Sequence, residues 1–361
     1  MKCILDNIIF ALQRSGGASV VWSEHIKRLL NEKDCNPYFI DFKTSFNNIF
    51  RKELNIPEKQ VLFNSDNLMF IKRYINLNTK EKNKFIFHSS HYRIDKNKYA
   101  LNITTVHDFT YEKYVTGIRR YVHCKQKYNA ILNSDAIICV SESTKKDLLH
   151  YLPYIQENKI HVIYNGVNNC FKVENPINFS LDIPFSDKSY ILYVGVRGPR
   201  YKNFSIVVDL CSEIKLPLII VGGEQINDTE KGLLDIKLGK NYYKHFRGLS
   251  SNLLNELYNR ALVFIYPSLY EGFGIPVIEA QKAGCPVIAF NNSSIPEVMG
   301  KSEFLLENNS FYALKNAVNE IKNNHLIREE EILRGLENSK RFSWDLTYKN
   351  TYNLYSNLYN Q

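Results

Sequence analysis

Two carboxylates, Glu271 and Glu279, frame a glycine-bearing turn in the run Pro267-Ser268-Leu269-Tyr270-Glu271-Gly272-Phe273-Gly274-Ile275-Pro276-Val277-Ile278-Glu279-Ala280. An ionised carboxylate only accepts hydrogen bonds, so the pair suits the hydroxyls of a sugar or ribose and not a phosphate. Gly272 and Gly274 let main-chain amides approach a ligand closely. Pro276 fits the first turn of a helix, and a helix start presents bare N–H groups that attract anions. Such a segment can hold a ligand that is part phosphate and part polyol, as a nucleotide sugar is. The same pattern also serves as a plain strand–turn–helix connection in α/β proteins.

A second group lies in Val194-Gly195-Val196-Arg197-Gly198-Pro199-Arg200-Tyr201-Lys202-Asn203-Phe204. Arg197 offers a planar fork of donors and Lys202 a mobile point charge, a combination able to neutralise a diphosphate. Taken alone it reads equally as a basic surface loop. Val106-His107-Asp108 closes a predicted strand at its carboxyl end, where open α/β sheets place ligands. Ser15-Gly16-Gly17 follows the first predicted strand, and neither this nor Gly272-x-Gly274 completes a nicotinamide-cofactor fingerprint. His88 and His91 have metal-ligand spacing but bring no third or fourth ligand, so no metal site is assigned. No Asp-x-Asp motif occurs.

These groups need scaffolds. Short apolar runs read as buried strands: Cys3–Leu12, 85–87, 103–106, 136–140, 160–164, 190–194, 218–221, 261–266 and 286–290. Helical patterns alternate with them, including 18–30, a helix capped by Ser141 and another over 251–259. The alternation predicts parallel sheets covered on both faces, and 361 residues suit two such domains. The stretch 172–188, with Pro176 and Pro184, reads as the linker. Trp344, Tyr348, Tyr352, Tyr355 and Tyr359 recur at helical spacing and share one face.

Charge is uneven. Residues 1–170 hold 25 Lys and Arg against 16 Asp and Glu, so the whole excess of +9 lies there. That asymmetry fits an acidic partner, either anionic lipid or a lipid-linked pyrophosphate, or else a merely basic surface. No nucleic-acid recognition motif accompanies it. No apolar run reaches membrane-spanning length, Asp6 interrupts any signal-peptide pattern, and seven cysteines without a Cys-x-x-Cys pair fit reduced thiols. A cytoplasmic protein is expected, with peripheral contact at the inner face of the cytoplasmic membrane through its basic half.

Glu271 and Glu279 with their flanking Pro-Ser-Leu-Tyr and Ala-Gly-Cys-Pro-Val-Ile resemble the signature of the family-4 retaining glycosyltransferases. Gly-x-Arg followed by Tyr-Lys-Asn-Phe resembles that family's diphosphate-binding element. The resemblance implies two Rossmann-like doubly wound domains facing across a cleft (the GT-B fold). Their expected bounds are residues 1–172 and 173–345, with a closing helix over 346–361 that returns to the first domain. It assigns Glu271 to the transferred sugar, Glu279 to the ribose, Arg197 and Lys202 to the diphosphate and His107 to the reacting sugars. Amides of Gly16, Gly17, Gly272, Phe273, Gly274 and Ile275 complete the donor site, with Gly248 beside the base; Asp108 and His91 fall on the acceptor side. The implied reaction is metal-independent hexosyl transfer with retention, from a nucleotide-diphosphate sugar resembling GDP-mannose to a lipid-linked or oligosaccharide acceptor. Its product is a surface polysaccharide such as O-antigen, capsule or exopolysaccharide, and no cofactor is expected. A nucleotide-sugar epimerase or a non-catalytic binding module could share the architecture.

Overall fold

A computed structural model describes the backbone of residues 1–361 and the side chains of all but Phe70 and Asn178. The chain divides into two compact units, Met1–Gly166 with Ser343–Gln361, and Val167–Phe342.

Seven parallel strands build the first unit: β1 (Lys2–Asp6), β2 (Asn36–Phe42), β3 (Val61–Asn64), β4 (Phe85–Ser89), β5 (Ala100–Val106), β6 (Ala136–Cys139) and β7 (Ile160–Val162). Their order is β3-β2-β1-β4-β5-β6-β7, so the winding direction reverses between β1 and β4. The expected strand Cys3–Leu12 is split. β1 stops at Asp6, whose buried carboxylate takes two hydrogen bonds from Arg93, at 2.7 and 2.5 Å. Asn7 then bonds Ile40 through its amide, and Ile8–Leu12 winds into a short helix.

The closing helix Trp344–Asn360 is part of this first unit. Its aromatic face, read from the spacing, carries Leu354 and Tyr355 into a core with Cys3, Leu5, Trp22, Ile26 and Phe39. Gly166 permits the close approach: a Cβ there would lie 2.2 Å from the Trp344 amide nitrogen.

The second unit carries β8 (Ile191–Val194), β9 (Leu218–Val221), β10 (Tyr243–Phe246), β11 (Val263–Tyr266), β12 (Val287–Phe290) and β13 (Leu305–Leu306), all parallel in the order β10-β9-β8-β11-β12-β13. β8, β9, β11 and β12 are apolar and buried along nearly their whole length, as a sheet covered on both faces requires. Winding reverses between β8 and β11, which places the loops at their carboxyl ends side by side.

The stretch expected as the linker is packed onto the second unit. Amides of Lys172 and Glu174 donate to Asn255 and Asn259, and those of Ser180 and Leu181 to the Glu256 carboxylate, all on the helix Ser251–Arg260. The units accordingly part after Gly166 and again before Ser343, not at 172 and 345.

Candidate functional site

In the second unit the chemistry gathers at the winding reversal. The loop after β8 presents Lys202 and the loop after β11 presents Glu271, and Lys202 Nζ lies 2.6 Å from Glu271 Oε1. The Leu269 amide donates to the Tyr201 carbonyl at 2.7 Å, so main chain as well as side chains join the loops. The Tyr266 hydroxyl, at the end of β11, also hydrogen-bonds Glu271. Ser293 accepts from the Glu271 amide, while the Ser294 hydroxyl donates to the carbonyls of Glu271 and Phe273. The two serines thus fix the turn without using the Glu271 side chain.

Gly274 then caps the helix Ile275–Lys282 at φ 104, where L side chains are strained and a Cβ would meet Ile295 at 2.9 Å. Glu279 lies one turn into that helix. Its carboxylate takes a hydrogen bond from Tyr258 at 3.3 Å, and burial lifts its pKa to about 7 in spite of that donor. Two acidic groups of unlike character result. Glu271 is paired with a cation, and Glu279 is half-buried beside a phenol.

Two of the expected residues have side chains already engaged within the unit. Arg197 is implied to contact diphosphate, yet its guanidinium is engaged within the unit. It pairs with Glu230 at 2.5 and 3.1 Å, donates to the Gly222 and Glu224 carbonyls at 2.8 and 2.6 Å, and meets His245 at 3.1 Å. Its side chain is 6% exposed. The geometry makes it a tie between the loops following β8 and β9. The Phe273 ring packs edge-on against Phe342 in the core, which leaves only its main chain for a ligand. Gly248 is exposed at φ 63 just beyond β10, ahead of the helix Ser251–Arg260.

In the first unit a pocket opens beside the winding reversal, lined by Trp22, His25, His88, Thr105, His107 and Tyr348 among others. Hydrogen bonds run through it in a chain: His25 Nε2 to the Tyr355 hydroxyl at 2.9 Å, that hydroxyl to His88 Nδ1 at 2.5 Å, and His88 Nε2 to the Thr105 hydroxyl at 2.8 Å. Burial depresses the pKa of His25 to about 3, puts His88 well below the ordinary imidazole value, and lowers His107. The pocket therefore presents neutral imidazoles near pH 7. Asp108 is turned to local structure: its carboxylate accepts from the Thr110 amide at 2.8 Å and its carbonyl from Lys127 at 2.9 Å. His91 stands apart from the chain, its Nδ1 buried without a partner. Gly16 and Gly17 start the helix Gly17–Leu29, and a Cβ on Gly17 would meet nothing within 4 Å.

The sequence reading did not single out Tyr258, Tyr266, His25 or Tyr355 as site residues. Tyr266, as the last residue of an apolar strand ahead of the Pro267–Gly274 turn, carried a usable signal. His25 and Tyr355 carried none, being 330 residues apart.

Among the described residues no group of three or more His, Cys, Asp or Glu is arranged to hold a metal ion, and no helix is long and apolar enough to cross a membrane. Residues 16–169 match the family model described as Glycosyltransferase Family 4, and residues 179–337 match Glycosyl transferases group 1. The O-antigen chain mannosyltransferase B of Escherichia coli is 26% identical over 288 residues, which is 75% of this chain and 74% of that protein. A sucrose-phosphate synthase from Thermosynechococcus elongatus has the same fold, with a TM-score of 0.73 at 17% identity over 99% of both chains. So does HepE of Anabaena, solved with UDP-glucose, with a TM-score of 0.70 at 16% identity over 99% of this chain and 100% of that one.

Proposed function

Because the chain belongs to the family-4 glycosyltransferases, we propose that it moves a hexose from a nucleotide-diphosphate sugar to a lipid-linked or oligosaccharide acceptor during surface polysaccharide synthesis. The reading is carried by the arrangement of Lys202, Glu271 and Glu279 around the Gly272–Gly274 turn, where a cation, two hydroxyl acceptors and a helix start converge. In it, Lys202 and the amides of the turn meet the diphosphate, Glu271 holds hydroxyls of the sugar and Glu279 those of the ribose. Arg197 positions the loop that carries Lys202.

Charge developing on the departing diphosphate is met by these fixed donors, the kind of preorganised term that is usually largest in catalysis. The departing phosphate oxygen takes the proton of the attacking hydroxyl, so the sugar keeps its anomeric configuration without a protein nucleophile and without a metal. The first unit receives the acceptor, with His107 and the neutral imidazoles of its pocket hydrogen-bonding uncharged hydroxyls. GDP-mannose is the first donor to try, given the mannosyltransferase relative and the Tyr-Lys-Asn-Phe element.

Melting curves with a panel of UDP-, GDP-, ADP- and dTDP-sugars test the reading, since only a ligand of the folded protein raises the midpoint. One family of nucleotides should do so. Transfer of the matching sugar to a lipid-linked or oligosaccharide acceptor should then proceed at the same rate with a chelator present and give retained stereochemistry. No shift with any donor would sink the assignment, and conversion of the donor without acceptor would redirect it to an epimerase.

A further inference from the structure

Several buried polar atoms in the first unit lack a hydrogen-bond partner, and four of them, Arg73 Nε, His91 Nδ1, His123 Nδ1 and Gln126 Oε1, belong to residues that contact or act on one another. The His91 and His123 rings stand at right angles with centroids 6.3 Å apart. Gln126 donates its amide hydrogen to the Arg73 carbonyl, which ties the helix Gly117–Leu132 to the segment bearing Arg73. Tyr111 stacks on His123 at 3.7 Å and holds that ring in place. A buried donor left unpaired costs about 1–3 kcal/mol, so a cluster of them in a folded protein needs an explanation.

Local electrostatics give the sign of the missing partner. Burial holds His91 at about 3, reinforced by Arg73, His123, Arg93 and His107; burial holds His123 at about 4, with Lys127 and Arg73 lowering it and Asp108 opposing. Arg93 is committed to Asp6, and Lys127 to Glu112 at 2.8 Å. Arg73 has no carboxylate partner among the described residues; its guanidinium lies over the Tyr74 ring at 5.2 Å. A guanidinium beside two imidazoles, with an amide oxygen at hand, fits a phosphate group: the first three donate, and Gln126 Oε1 accepts from a singly protonated oxygen.

The surroundings show what carries that phosphate. Tyr74 and Ile75, next to Arg73, are exposed, and so are Ile118 (73%) and Tyr121 (61%) on the helix that bears His123 and Gln126. Arg119 and Arg120 are exposed between them. Apolar side chains interleaved with arginines are what a protein surface needs to sit among lipid headgroups.

We propose that Arg73, His91, His123 and Gln126 form a receptor for a phosphate group at the membrane-embedded end of a lipid-linked acceptor. This rests on the acceptor reading of the first unit given above. It narrows that reading from any glycan to one carried on a lipid phosphate.

Three measurements on the full chain test it, using wild type, Arg73→Gln and His123→Gln. Inorganic phosphate and pyrophosphate should move two histidine resonances in the NMR spectrum and raise their titration midpoints by about one unit or more, because an adjacent anion favours imidazolium. Binding should be tighter at pH 6 than at pH 8, because the singly protonated phosphate that Gln126 Oε1 can accept from prevails at the lower pH. Phosphatidylcholine vesicles containing phosphatidic acid should co-sediment the wild type at least tenfold more than phosphatidylcholine alone, and Arg73→Gln should lose most of that difference. The melting shift caused by a nucleotide sugar should survive in Arg73→Gln, which also shows that the variant folds. Unmoved histidines, or equal vesicle capture by wild type and Arg73→Gln, would overturn the proposal. Phosphate binding without capture by phosphatidic acid would overturn its lipid half. A failed donor panel alongside an intact phosphate response would count against the proposed function and in favour of this site.

Discussion

Lys202 Nζ and Glu271 Oε1 are 2.6 Å apart, joined across the one place in the second sheet where the winding reverses. Both side chains are shielded from solvent, at 16% and 12% exposure, so neither is held by water alone. A ligand that takes the lysine with its phosphates and the glutamate with its hydroxyls replaces this pair by two new ones. Until then each side chain keeps the other oriented.

Lys202→Ala and Glu271→Ala should each lower transfer at least a hundredfold, the loss of about 3 kcal/mol expected when one preorganised group is removed. Circular dichroism should show both variants folded. The double variant should lose less than the sum of the single losses, because each single change also strands a charge. Near-normal turnover in either single variant would remove the pair from the mechanism.

Glu279 gives a pH signature. Its carboxyl is raised by burial from the ordinary value near 4.5 to about 7 in the folded protein. Below 4.5 both folded and unfolded forms hold the proton; between 4.5 and 7 only the folded form does, so stability falls as pH rises through that window. Melting midpoints should drop more steeply from pH 4.5 to 7 in the wild type than in Glu279→Gln. Glu331, raised to about 7 by its own burial, is present in both proteins and cancels in the comparison. Hydroxyl donors favour the ionised carboxylate, so nucleotide-diphosphate affinity should rise from pH 6 to 8 in the wild type and stay level in Glu279→Gln.

Arg197 should behave as a structural tie. Arg197→Ala strands the Glu230 carboxylate and two carbonyls, and a cost on the order of 3 kcal/mol is expected. Arg197→Lys should recover little of it, since an ammonium cannot span the same fork of acceptors. Thermal melting without ligand reads this directly. Unchanged stability together with lost donor binding would return Arg197 to the diphosphate.

Two glycines separate internal packing from ligand approach. Gly166→Ala drives a Cβ into the main chain of Trp344 and should loosen the closing helix, with a fall in melting midpoint. Gly17→Ala meets only open space, so stability should hold or rise by up to about 1 kcal/mol in a helix. If the resemblance assigns this turn correctly, Gly17→Ala nonetheless weakens donor binding; unaltered affinity would show that the donor does not touch it.

Much of the framework was legible. Apolar runs such as 218–221 and 286–290 became central strands because a sheet covered on both faces demands continuous hydrophobicity. β2, β3, β10 and β13 were not anticipated: the last three are edge strands, where Tyr243-Lys244-His245-Phe246 has no need to be apolar, and β2 opens on the polar Asn36 and on Pro37. Glu271, Glu279 and Lys202 could be named from their types and spacing. The ion pair between Lys202 and Glu271 could not, since it depends on β8 and β11 becoming neighbours across a crossover. Arg197 illustrates the other limit. Residue type states what a guanidinium can bind, and only the fold states that Glu230 and three other partners have already bound it.

The closing helix also bears on the order in which the protein assembles. Residues 1–166 leave the ribosome before Val167–Phe342, but a side of their core waits for Leu354 and Tyr355, which are made only after that second unit. Val167–Phe342 is contiguous and can complete itself earlier. The unit begun first is thus finished last, and meanwhile Trp22, Ile26 and their neighbours stand uncovered in a nascent chain. A stop codon or proteolytic cut just before Ser343 would damage the first-made unit while sparing the later one.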